Sequence, residues 1–116
     1  MITSFISHPH CDLHHMGPEH PESPQRLEAI RARLALGGLL QQTMQSEARP
    51  ASEEELARVH PLRHLRALDK CVPESGIVTL DSDTLMNPAS LDAARVAAGA
   101  VIRGVDHVYR GQADNV

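Results

Sequence analysis

Between the punctuating run Asn87-Pro88-Ala89-Ser90 and Gly111, apolar residues return every three or four positions: Leu91, Ala94, Ala98, Val101, Val105 and Val108. That period is the stripe of an α-helix, and no other stretch of the chain sustains one as long. Ala93, Ala97, Gly99, Ala100 and Gly104 keep the neighbouring positions small enough for another backbone to come close. The helix is therefore expected to be buried on more than one side and to end near Gly111. Phe5 and Tyr109 are the only large aromatic side chains, so whatever packs on this helix must be aliphatic.

With 116 residues the chain is read as a single domain, 1–116, large enough for a modest core. A net charge of −4, with Lys and Arg scattered singly among acids, offers no footprint for a phosphate backbone, so nucleic acid is not expected as a partner. No apolar run approaches the roughly 18 residues of a membrane span, and Met1 onward lacks a basic stretch followed by an apolar one. These features lead to the expectation of a cytoplasmic protein without a membrane partner. In a reducing compartment Cys11 and Cys71 would be free thiols.

Ile2, Phe5 and Ile6 among small hydroxyl residues predict a first strand over residues 1–7. Residues 8–22 are rich in His, Pro and Gly and read as a loop that lines a cleft or faces solvent. Ser23 and Pro24 then predict a helix start, with Leu27, Ile30 and Leu34 on one face and Gly37-Gly38 as the stop. A second strand is expected within 39–46, parallel to the first after a right-handed crossover. Ser52-Glu53-Glu54-Glu55 is a capping box for a short helix that Pro61 breaks, and Pro61 opens another short helix that runs to about Asp69. Ile77 to Leu80 is a further brief β-like run.

Eight histidines invite a search for metal sites, and His8, His10, Cys11, His14, His15 and His20 share one loop region. Cys11 and His14 have the spacing of a zinc ligand pair, which His20 and Cys71 could complete; the alternative is a set of hydrogen-bonded or solvent-facing loop histidines. His60 and His64 are four apart, with Pro61 between them disturbing the helical geometry of a ligand pair. A hydrolytic zinc site needs three protein ligands, an open position for water, a base and an oxyanion donor. No ordered set of residues supplies these, and no Gly-x-Ser-x-Gly elbow surrounds a serine. No catalytic residue and no metal ligand is assigned. Asp81 and Asp83, two apart, would face one side of an extended segment and could accept hydrogen bonds from a substrate backbone or hold a cation, but the residues by themselves favour the other reading, since Asp-Ser-Asp-Thr is turn and N-cap chemistry wherever it occurs.

Cys11-Asp12-Leu13-His14-His15, His20-Pro21-Glu22, Arg26-Leu27-Glu28-Ala29-Ile30, Ala51 to Leu56 and Val59-His60 resemble, in order, segments of class II histone deacetylases and bacterial acetylpolyamine amidohydrolases. Asp81-Ser82-Asp83-Thr84, Leu91-Asp92-Ala93-Ala94 and Ala98-Gly99-Ala100 extend the resemblance over nearly the whole chain. It implies an α/β fold, part of the three-layer arginase/deacetylase architecture, with two or three short parallel strands and about four helices. It also implies that His20, Pro21 and Glu22 form the rim of an acyl-lysine tunnel, and that Asp83, with Asp81 second, holds the substrate backbone.

In that family the chain continues into a strand, a Pro-Gly-His-His motif, the zinc ligands Asp-x-His and Asp, and a catalytic tyrosine, none of which occurs here. Tyr109 matches a packing position on the long helix. Where some class II relatives place the thiolates of a structural zinc near the rim, this sequence has Asp12, His14 and Ser75. The expectation is thus the N-terminal part of a zinc-dependent amidohydrolase acting on acetyl-lysine or acetylpolyamine, inactive by itself and with no cofactor of its own, zinc belonging to the complete enzyme. The competing expectations are a freestanding oligomeric binding module and a split subunit completed by another chain. Exposed apolar surface in so small an α/β unit favours a homo-oligomer.

Overall fold

In the computed structural model, which describes residues 1–116 throughout, β1 (Ser4–Ser7) pairs in parallel with β2 (Met44–Glu47), Ser4 opposite Met44 and Ser7 opposite Glu47. The crossover between them is α1 (Pro24–Leu36). Short helix α2 (Glu53–Ala57) and helix α3 (Leu62–Cys71) follow, then a hairpin of β3 (Val78–Thr79) and β4 (Leu85–Met86), then α4 (Ser90–Tyr109). On the other edge of β1, the Ser4 N–H donates to the Asn115 carbonyl at 2.9 Å and Thr3 bridges Asn115 in parallel. The shortest dimension of the molecule is 20 Å, about two layers of secondary structure at roughly 10 Å each.

Local chemistry explains the boundaries. The Ser52 hydroxyl accepts from the Glu55 N–H while the Glu55 carboxylate accepts from the Ser52 N–H, so the capping box expected for α2 is formed. Leu39 N–H reaches back to the Leu34 carbonyl and Gly38 N–H to Ala35, with Gly38 at φ +67°. This Schellman closure needs the left-handed conformation that glycine takes without a Cβ penalty. Gly111 closes α4 in the same way, through Gln112 N–H on the His107 carbonyl. The second strand starts later than expected because Leu40–Gln42 forms a 3₁₀ turn, held by the Thr43 hydroxyl and N–H on the Leu40 carbonyl.

Two sequence expectations take a different form. Ile77 to Leu80 supplies β3, but this strand pairs antiparallel with β4, a partner the sequence reading omitted, so the parallel sheet has two strands. Residues 81–83 are a tight bend at the hairpin tip, in keeping with the turn reading of Asp-Ser-Asp-Thr, and not the extended segment of the other reading, so Asp81 and Asp83 do not project as alternate residues of a strand.

The long helix also presents a different face from the one its periodicity names. Ser90, Ala93, Val96, Gly99, Gly104 and His107 are buried, whereas Val101, Val105 and Val108 are 68, 62 and 43% exposed. The small residues win because backbone runs directly across them: a Cβ on Gly99 would lie 1.8 Å from the Arg49 carbonyl oxygen, and the Ala51 N–H donates to the Arg95 carbonyl at 2.9 Å. Val96 is completely enclosed; burying such a side chain contributes about 1.5–3 kcal/mol. Leu65 of α3, Met16, Ala48, Ala51, Met86 and Ala113 are the other apolar side chains that are buried. At the far end of α4, His107 Nδ1 shares a 2.8 Å hydrogen bond with the Ser4 hydroxyl, both residues buried, which ties the helix to β1. α1 buries none of its residues fully, and Ile30 is 49% exposed.

Candidate functional site

The loop from His8 to Glu22 is fastened to the rest of the molecule by side chains of unlike chemistry. The Asn87 side-chain amide donates to the Leu13 carbonyl at 2.8 Å, and His14 Nδ1 lies 2.7 Å from the Ser90 hydroxyl. Ser90 in turn accepts from the Asn87 N–H and donates to Asn87 Oδ1, so the start of α4 and the loop share one polar network. Met16 is buried against the hairpin, its sulfur accepting from the Leu85 N–H. Arg31 of α1 grips both Asp12 carboxylate oxygens at 2.9 Å. Burial of Met16 and these few polar clamps thus fix a segment whose one regular part is the 3₁₀ turn Pro9–Leu13, capped by the His8 ring accepting from the His10 N–H.

Across this loop the structure brings together residues some 60 positions apart. His20 Nε2 stands 3.6 Å from Asp83 Oδ1, and the Glu22 carboxylate stands 3.9 Å from His14 Nε2. Pro21 lies exposed between His20 and Glu22. Asp81 builds the bend: its Oδ1 accepts from the Asp83 N–H at 2.9 Å, while the Thr84 carbonyl accepts from the N–H of Leu80 and of Asp81. The Asp83 N–H first, and the Thr84 hydroxyl second, hold the Asp81 carboxyl below its ordinary range. Asp83 has no such duty. Its side chain is 93% exposed, so its oxygens are available as acceptors.

Beside these residues is a cavity of about 440 Å³ between α1, the hairpin and the first half of α4. Leu27, Leu85 and Ala94 contribute apolar wall, and Cys11, His14 and Glu22 the polar part. Burial pushes the Cys11 thiol up from its ordinary value, Asp12 adds to the effect and Arg31 opposes it, so Cys11 is a neutral thiol here. The arrangement can accept hydrogen bonds from a ligand at the outer edge and enclose apolar groups beside it.

The zinc cluster that Cys11, His14, His20 and Cys71 could have formed does not assemble. No group of three or more His, Cys, Asp or Glu side chains converges where a metal could be held. His14 is engaged by Ser90, His20 accepts from the Glu22 N–H, and Cys71 is exposed at the end of α3. The residues therefore do not fit a zinc ion, structural or catalytic. His60 and His64 lie with ring centroids 5.3 Å apart on the surface, Pro61 at the N-cap of α3 between them, and they belong to no group of metal-ligating side chains. Sequence reasoning missed Asn87 and Ser90 as members of the loop network and His107 as the partner of Ser4. Asn87-Pro88-Ala89-Ser90 carried only a turn signal, and His107 sits off the apolar stripe on which the helix was read.

A parallel pair linked by a crossover helix, a long helix packed across it and an acidic turn beside a histidine loop define an arginase/deacetylase-type α/β unit. The crystal structure of the HDA15 HD domain matches 97% of this chain with a TM-score of 0.83 at 29% identity, and this chain covers 33% of that one. Residues 20–116 match the histone deacetylase domain, and the chain belongs to that family. It is 36% identical to the histone deacetylase-like amidohydrolase of Pseudomonas aeruginosa, over 83% of this chain and 25% of the relative. It is 34% identical to the human polyamine deacetylase HDAC10, over 92% and 16%, and 33% identical to histone deacetylase 15 of Arabidopsis thaliana, over 91% and 19%. The chain thus spans a quarter or less of the length of these three relatives. No helix is long and apolar enough to cross a membrane.

Proposed function

We propose that this chain forms the substrate rim of a zinc-dependent deacetylase, acts on acetyl-lysine or acetylated polyamine only as part of a larger assembly, and hydrolyses nothing alone. The observation that supports this reading is the meeting of His20 and Asp83 at 3.6 Å, which joins the two segments implied by the family resemblance. Asp83 serves as acceptor for substrate backbone N–H groups, with His20, Pro21 and Glu22 beside it. Asp81 shapes the turn that presents Asp83. Zinc chemistry would be supplied by the rest of that assembly. Titration with an acetyl-lysine peptide, followed by ¹H–¹⁵N NMR, is expected to shift the amides of residues 20–22 and 81–84, and Asp83→Ala is expected to weaken binding about tenfold, the scale of a charge-assisted hydrogen bond. Shifts confined to other surfaces would contradict this reading.

The second reading, a freestanding non-catalytic homo-oligomer, is favoured by the apolar face of Val101, Val105, Val108 and Tyr109 beside Phe5 and Ile6. Such a face supports pairing with a second copy. Sedimentation velocity is then expected to give a dimer or larger species that Val101→Ser with Val105→Ser converts to monomer. A monomeric wild type at high concentration contradicts it.

A further inference from the structure

His20 Nε2 is the one buried side-chain nitrogen or oxygen in the molecule without a hydrogen-bond partner. The Glu22 N–H donates to Nδ1 at 3.1 Å, so the neutral ring carries its proton on Nε2. A donor is thus removed from water and left unpaired, which a fold tolerates only where something offsets the lost hydration. Asp83 is the carboxylate that comes within 4 Å of this ring, and its 3.6 Å separation is about half an ångström beyond a hydrogen bond. The side chain that would have to move is the one that can: Asp83 is almost fully exposed at the tip of a short hairpin.

The remaining attachments of the loop lie elsewhere. Leu13 and His14 are held by Asn87 and Ser90, and Met16 by Leu85, all before His20 in the chain. Between the His20-Pro21-Glu22 segment and the hairpin tip, His20 with Asp83 is the single side-chain pairing.

We propose that His20 is a positioning residue for Asp83: Nε2–H donates to Oδ1 as the hairpin tip closes, and Oδ2 is left facing outward for a substrate N–H. The role in substrate binding rests on the rim reading above; the link between the two residues does not. The pairing orients one carboxylate oxygen inward and the other outward, which suits a ligand that offers backbone amide donors in an extended chain.

The test is a double-mutant cycle read by amide hydrogen exchange at Leu80 and Asp83, whose N–H groups close the hairpin tip, with the amides of the α4 interior as the control for folding. His20→Phe and Asp83→Ala are each expected to speed exchange about fivefold, the double variant no more than either, and His20→Gln, whose amide can donate from a similar position, to restore slow exchange. Effects that multiply in the double variant, or no effect of His20→Phe, would overturn the link. Acetyl-lysine peptide titration on the same samples separates the two ideas. Coupled exchange without peptide binding supports the link and overturns the rim reading, whereas peptide binding with uncoupled exchange does the reverse.

Discussion

Glu55 shows what a single side chain does in this fold. Its carboxylate takes two hydrogen bonds from Arg49, one of them 2.8 Å from Nη1, and one from the Ser52 N–H, and these hold its pKa at about 2 against an ordinary 4.5. Because the folded value lies below the unfolded one, the stabilisation is complete above about pH 4.5 and is lost as the pH falls through about 2. Glu55→Gln is therefore expected to lower the urea midpoint at pH 7 and to match the wild type near pH 2, as measured by circular dichroism. The capping box was legible from Ser52 and Glu55 alone because it is a contact three residues long. The Arg49 clamp was not, since nothing in Arg49-Pro50 says that the chain turns back toward the helix start. The same limit applies to His20 and Asp83: the resemblance nominated both, but only the folded chain brings them to 3.6 Å.

At the scale of elements, α4 carries the main lesson. Its period was readable and its boundaries fall at Ser90 and Tyr109, close to the punctuation seen in the sequence. The small residues Ala93, Gly99 and Gly104, read as positions for close backbone approach, are indeed buried, whereas the apolar stripe misled, because hydrophobic period ranks positions by side-chain size and the fold buries the face that allows the closest backbone approach. Gly99 is the point of closest approach, so Gly99→Ala is expected to cost about 3 kcal/mol or more in urea unfolding, since backbone, the Arg49 carbonyl, would have to shift. Gly104→Ala meets only the Val116 side chain, at 3.0 Å, and is expected to cost about 1 kcal/mol. Equal costs would contradict this account of why α4 sits as it does. The hairpin partner β4 was invisible for a related reason: two residues, Leu85 and Met86, make too short a strand to show any period.

At the scale of the whole molecule, the chain has the parallel pair, the crossover and the long helix of a histone deacetylase domain, together with an acidic turn at Asp81 to Asp83 and no metal-binding cluster. Composition and pattern alone reached a small α/β unit with an aliphatic core; the resemblance supplied the architecture and nominated His20 and Asp83. The exposed valines of α4 were read in the sequence as core, and they are core-like in chemistry if not in position. The central claim, a deacetylase rim that does no chemistry alone, is tested most directly by counting zinc per chain after exhaustive dialysis and assaying acetyl-lysine hydrolysis on the same sample. The account predicts substoichiometric zinc and no turnover. One zinc per chain, with turnover abolished by a chelator and restored by the metal, would contradict it.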